Sequence, residues 1–144
     1  MSTRQNADIL LIEDSTAIID LFKVLTKKFD LKIKYAKNTS EFLNIIRFNS
    51  FKYVLCDLNL DYKLEGLFIS KVFSNIRKIQ QTESKILLFS SEKVTEKEIS
   101  KSGFDGSLVK DFLSIYDFLL QNFPLRSFHD LLVNEMRYQV ASFN

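Results

Sequence analysis

Glycine and proline are nearly absent: three glycines and one proline in 144 residues. So few leave no room for a glycine-rich loop that cradles phosphate, nor for flexible or low-complexity linkers. Cysteine is just as scarce. The lone thiol, Cys56, excludes an intramolecular disulfide framework and fits a reducing compartment, and inside an apolar run it reads as core packing. The only histidine, His129, has no neighbouring cysteine or histidine and reads as a surface residue, not a metal ligand. No apolar run approaches the roughly 18 residues of a membrane span, and the polar stretch Met1 to Asp8 does not resemble a leader, so a cytoplasmic protein without a membrane partner is expected. Charge of one sign is missing too, with a net of +2. Lys23, Lys27, Lys28, Lys32, Lys34 and Lys37 crowd one stretch, but acids are interspersed elsewhere, which suggests a solvated face and no nucleic-acid partner.

What is abundant is core material. With 46% hydrophobic and 26% charged residues, the chain suits one compact domain that buries roughly 68–70% of its unfolded surface. Its apolar runs are short and end on polar residues. Asp8 to Ile12 reads as a strand stopping at Glu13 and Asp14, and the run through Tyr53, Val54, Leu55 and Cys56 stops at Asp57. Leu31 to Tyr35, Lys85 to Phe89 and Phe104 to Val109 are further strands, the last two ending at Ser90 and Lys110.

Helical spacing fills the gaps. Ser15 or Thr16 can cap a helix with Ile18, Leu21, Phe22, Leu25 and Phe29 inward, and Asn38 with Glu41 resembles a capping box before Phe42, Ile45 and Ile46. A polar loop, Asn59 to Gly66, leads to a helix over Leu67 to Lys78, and a short charged helix, Thr95 to Lys101, meets Gly103 as its stop. From Asp111 to Phe123 the pattern is helical and unusually apolar, with Phe112, Leu113, Tyr116, Leu119, Leu120 and Phe123 on one side and Ile115 and Phe118 on another. Pro124 ends it. Arg126 to Phe143 suggests one more helix, striped by Phe128, Leu131, Leu132, Met136, Val140 and Phe143.

Strands alternating with helices imply an α/β fold whose parallel sheet is covered on both faces. Ligand crevices in such sheets lie beyond the carboxyl ends of the strands, so Glu13, Asp14, Asp57, Ser90 and Lys110 are expected at one edge. Three carboxylates about 5 Å apart repel by about 3 kcal/mol per pair at an effective dielectric of 20. They need a cation. Hard oxygen ligands, with the Asn59 backbone carbonyl two residues beyond Asp57, suit Mg²⁺. A carboxylate is also a competent nucleophile toward phosphorus, and Lys110 and Ser90 could neutralise and hydrogen-bond the resulting phosphoryl group.

Together these residues resemble the receiver domain of two-component response regulators, over about residues 8 to 123. The resemblance implies a doubly wound five-stranded parallel sheet with flavodoxin-like strand order 2-1-3-4-5. It also implies Mg²⁺ held by Glu13, Asp14, Asp57 and the Asn59 carbonyl, phosphoryl acceptance on Asp57, a sensing hydroxyl at Ser90 and a phosphate-pairing lysine at Lys110. The partners implied are a sensor histidine kinase or histidine phosphotransfer protein and a downstream effector protein, so the protein is not classed as an enzyme.

Departures from the family pattern are visible. Asp61 and Tyr62 stand where a proline is common, Gly66 comes one residue late, and Asp111 replaces the proline that usually follows the lysine. Ser107 replaces the tyrosine or phenylalanine whose rotation often couples phosphorylation to the surface. The division expected is a receiver domain over residues 1–123 and a C-terminal helical extension over 124–144, which packs on its own domain, docks a partner or forms a homodimer through the last helices. A second reading is a receiver-like docking protein that ignores phosphorylation. Readings as an aspartate-nucleophile hydrolase or a flavin-binding flavodoxin relative are weaker, because Asn59 stands where such hydrolases use an acid and no phosphate-cradling loop exists.

Overall fold

A computed structural model describes residues 4–126 and Met136. The strands are β1 (Gln5–Ile12), β2 (Ile33–Ala36), β3 (Asn49–Cys56), β4 (Lys85–Ser90) and β5 (Gly106–Val109). Between and after them lie α1 (Thr16–Thr26), α2 (Thr39–Ile46), α3 (Glu65–Gln80), α4 (Glu96–Ser102) and α5 (Phe112–Asn122). All neighbouring strands pair in parallel, in the order β2-β1-β3-β4-β5, as expected.

The twofold alternation along each strand sorts the core into two layers. Ile9, Leu11, Leu55 and Phe89 pack with Phe22 and Leu25 of α1 and Ile115 and Leu119 of α5. Leu10, Ile12, Val54, Cys56, Ile86 and Leu88 face the other way, onto Phe42 of α2 and Ile69 and Phe73 of α3. Both faces are covered, which is why the inner strands read as unbroken apolar runs and not as alternating ones.

Sequence and structure differ mainly at the ends of elements. The Asp57 strand begins at Asn49, well before Tyr53, and ends at Cys56, and Leu60 in the loop that follows is buried. Strand β1 starts at Gln5, and β5 is only four residues long because Phe104 enters the core from a turn. Helix α3 starts at Glu65 and not Leu67. The caps are as read: the Ser15 hydroxyl accepts from Ile18 N–H, Asn38 Oδ1 accepts from Glu41 N–H, and Gly103 ends α4 at φ 86°.

The structure settles which side of α5 meets the sheet, a choice the sequence left open. Ile115 and Leu119 are fully buried with Phe123, whereas Phe112, Leu113 and Leu120 point outward, Leu113 being 75% exposed. Asp117 and Gln121 mark the solvent side of α5, but the apolar arc around the rest of the helix is too wide for the sequence to say which stripe meets the sheet. After α5, Leu125 makes an antiparallel bridge with Phe29, and Arg126 N–H donates to the Lys28 carbonyl at 3.1 Å, so Arg126 does not begin a helix. The rest of the expected final helix, His129 included, lies outside the described residues, except Met136, which is helical. No helix among the described residues is long and apolar enough to cross a membrane.

Candidate functional site

The sheet ladder runs one residue beyond the strands and carries the site residues with it. Asp57 N–H donates to the Ile12 carbonyl (3.0 Å), Glu13 N–H to the Ala36 carbonyl (3.0 Å) and Lys110 N–H to the Ser90 carbonyl (2.8 Å). The backbones of Glu13, Asp57 and Lys110 are thereby fixed at one edge. Carboxylate oxygens of Glu13, Asp14 and Asp57 lie within 4.8 Å of one another, the one such group of three among the described residues.

Lys110 closes the cluster. Its Nζ lies 2.6 Å from Glu13 Oε2 and 2.9 Å from Asp57 Oδ2, and 5.4 Å from the centre of the Phe89 ring beneath. Burial pushes the Glu13 carboxyl above its usual range, an effect opposed by the hydrogen bond and charge of Lys110; Glu13 is 1% exposed. Burial alone would lower the Lys110 ammonium, but its bonds to Glu13 and Asp57 outweigh that and raise it. Lysine is therefore charged at neutral pH and cancels one of three negative charges. The remainder, held by hard oxygens only, fits a divalent cation such as Mg²⁺.

The loop after Asp57 is folded tightly against it. Asp57 Oδ1 accepts from Asn59 N–H (3.3 Å), Asn59 Oδ1 accepts from Leu64 N–H (2.8 Å), and Gly66 N–H donates to the Leu58 carbonyl (2.8 Å). Gly66 is required here, because a Cβ at that position would stand 2.1 Å from the Asp57 carbonyl oxygen. The residue before α3's first turn, Leu64, takes φ 65°, a left-handed conformation that a branched side chain adopts at a cost. Leu64 and Gly66 thus stand on either side of the first residue of α3, the one left-handed and the other pressed against the Asp57 backbone. The Cys56 thiol, buried beside the cluster, has its pKa pushed well up by burial and by the Asp57 and Glu13 charges, so it remains a packed thiol.

The structure brings Glu13, Asp14, Asp57 and Lys110 together. Ser90 stands at the same edge, with its Oγ accepting from Glu92 N–H at 3.2 Å. Sequence reading missed Glu65. This residue is 1% exposed and accepts hydrogen bonds on both oxygens: Oε1 from Asp61 N–H (2.9 Å) and Tyr62 N–H (3.4 Å), Oε2 from Thr39 N–H and Thr39 Oγ1 (both 2.7 Å). An acid inside a polar loop carries no sequence signal of burial; only the late Gly66 hinted that this loop is built differently.

A parallel sheet of this order, with an acidic cluster and a lysine at its carboxyl edge, defines a flavodoxin-like domain with a charged pocket at the strand ends. The family model "response regulator receiver domain" matches residues 9–117. The chain belongs to the response regulator receiver domain family. Among solved structures it is similar to chemotaxis response regulator CheY4 of Vibrio cholerae, at 20% identity and a TM-score of 0.64, covering 83% of this chain and 98% of that one. A CheY-like receiver domain from Methylobacillus flagellatus shares 25% identity with a TM-score of 0.59 over 83% of this chain and 98% of its own. The response regulator TrrA of Thermotoga maritima, solved with Mg²⁺ and BeF, is 24% identical with a TM-score of 0.61, covering 81% and 94%. No curated protein matches the chain by sequence. Receiver domains are signalling switches and not catalysts of a separate reaction; they bind Mg²⁺ or Mn²⁺ at an acidic pocket and interact with histidine kinases and phosphotransfer proteins.

Proposed function

We propose that this chain is a response regulator receiver that accepts a phosphoryl group on Asp57 from a phosphohistidine of a kinase or phosphotransfer protein and signals by protein–protein contact. The observation that carries this reading is the Lys110 clasp, 2.6 Å from Glu13 and 2.9 Å from Asp57, beside a third carboxylate at Asp14. An Asp57 oxygen attacks phosphorus, forming the P–O bond as the P–N bond to the donor imidazole breaks. The imidazole leaves with that electron pair and takes up a proton.

Lys110 pairs with the incoming phosphoryl oxygens, and the Ser90 hydroxyl, half-buried at the end of β4, turns from Glu92 N–H to donate to them. Glu13, Asp14, Asp57 and the Asn59 carbonyl would hold Mg²⁺, which would supply charge neutralisation for the phosphoryl group. We assign residues 1–123 to the receiver and the stretch 124–144 to contact with an effector or a second copy. We place the protein in the cytoplasm, where its donor would reside.

Intact-mass spectrometry after incubation with a small phosphodonor tests the reading. The expected result is a labile adduct on the wild type that disappears in Asp57→Asn and without Mg²⁺. No adduct, either from a small donor or from a phosphorylated histidine protein, would overturn it.

The second reading, a docking protein indifferent to phosphorylation, is favoured by Ser107. That residue is exposed on the edge strand β5, paired in register with Leu88, and carries no ring to rotate. An unchanged phenotype in cells carrying Asp57→Asn would support it.

A further inference from the structure

Glu65 is the most completely bonded carboxylate among the described residues, yet it lies outside the acidic cluster. Its two oxygens serve different elements. Oε2 takes Thr39 N–H, one of the amides at the α2 N-terminus that no carbonyl within the helix can satisfy, together with the Thr39 hydroxyl. Oε1 takes the amides of Asp61 and Tyr62, in the loop that runs on from Asp57 and Asn59. The same loop is closed a second time by Asn59 Oδ1 on Leu64 N–H, and a third time by Tyr62, whose carbonyl accepts from Leu60 N–H and Glu65 N–H, both at 3.3 Å.

A buried carboxylate with donors on both oxygens has few alternative arrangements, because each lost bond would leave a charge in a desolvated place. Glu65 therefore fixes residues 59–62 relative to the start of α2, and Leu64 is held left-handed as part of the same closure.

We propose that Glu65 is a positioning residue for the cation site: through the Asp61 and Tyr62 amides it sets the Asn59 backbone, and so the affinity of the Asp57 edge for Mg²⁺. This rests on the reading that the edge binds Mg²⁺ with the Asn59 carbonyl as a ligand. Groups that hold a ligand in place, without touching the metal, commonly change metal affinity by 10–100-fold.

The test is a Mg²⁺ titration of the full chain followed in ¹⁵N–¹H spectra, with a melting temperature for each variant. Glu65→Gln keeps the shape but offers one oxygen, and it is expected to bind Mg²⁺ about tenfold more weakly. Thr39→Ala removes one donor on the α2 side only, and should lower the melting temperature while leaving Mg²⁺ affinity within about threefold, since loop-side bonds remain. Glu65→Asp retains the charge but is one methylene short of spanning both elements. Weakened Mg²⁺ binding in that variant separates positioning from simple loss of negative charge, and it serves in place of Glu65→Gln should the latter not fold. Wild-type affinity in a folded Glu65→Gln or Glu65→Asp would overturn the proposal. Absence of Mg²⁺ binding by the unsubstituted chain would overturn the cation reading itself, a result visible before any variant is made.

Discussion

On the β3–α3 side of the sheet's carboxyl edge the chain is tied down by buried polar bonds, while on the β4–α4–β5 side it is lightly held. The loop from Asp57 to Gly66 is closed by Glu65, Asn59 and the backbone of Gly66, and α3 behind it buries Ile69, Ser70 and Phe73. Helix α4 has no buried residue; Val94 and Ile99 are only partly covered. Its end is tethered by the Ser70 hydroxyl donating to the Ser102 carbonyl at 2.9 Å. Local stability follows buried contacts, so opening should be cheapest at α4 and costliest around α3. A site that must place charges accurately is built on the stiff side, and the side next to Ser90 and Lys110 is free to rearrange when their partners change.

The comparison can be broken most decisively at Asp57 itself. Asp57→Asn should abolish the phosphoryl adduct completely while leaving the fold intact, as read by mass spectrometry and circular dichroism. Gly66→Ala comes next. Its Cβ would collide with the Asp57 carbonyl, so denaturant unfolding should show a loss of about 3 kcal/mol or more, and a loss below about 1 kcal/mol would show that the loop can yield.

Glu65→Gln sharpens the comparison through pH. Burial would raise the Glu65 carboxyl, but bonds from Thr39, Tyr62 and Asp61 more than offset it and hold it below its usual range. A carboxyl lowered by folding adds stability above its unfolded value, and that share is lost as pH falls through the folded one. The gap in unfolding free energy between wild type and Glu65→Gln should therefore be largest near neutrality and narrow as pH drops past about 4.3. A gap independent of pH would mean that the charge of Glu65 contributes nothing. The smallest effect is expected at Thr95, whose Oγ1 caps α4 by accepting from Glu98 N–H. Thr95→Ala should cost about 0.5–2 kcal/mol of local helix stability, seen as faster hydrogen exchange confined to α4, with α3 amides unchanged.

Much of this was legible in the sequence where one physical cause dominates. Strands covered on both faces must be apolar throughout, so Ile9 to Ile12 and Val54 to Cys56 announce themselves, and the polar residues that end them mark the edge. The acidic pair, Asp57 and Lys110 could be placed because strand ends in a parallel sheet converge. What stayed hidden depends on contacts between distant residues. Ile115 and not Leu113 faces the sheet, packed in the layer of Phe22 and Phe89, a choice that the wide apolar arc of α5 leaves open. Glu65 looks like any loop acid until Thr39 is brought beside it. The early start of β3, at Asn49, rests on pairing with Gln5 and Asn6, polar residues that read as a tail.

The bridge between Leu125 and Phe29 bears on how the protein can be handled. Helices in such a fold run back against the strands, so the end of α1, where Leu125 and Arg126 are fastened, is the pole farthest from Asp57. A fluorophore on Leu125 would sit on a segment fastened to the end of α1, at the opposite edge of the sheet from the chemistry. Distance measurements taken from it would thus register movements of the molecule rather than wandering of the label's own root.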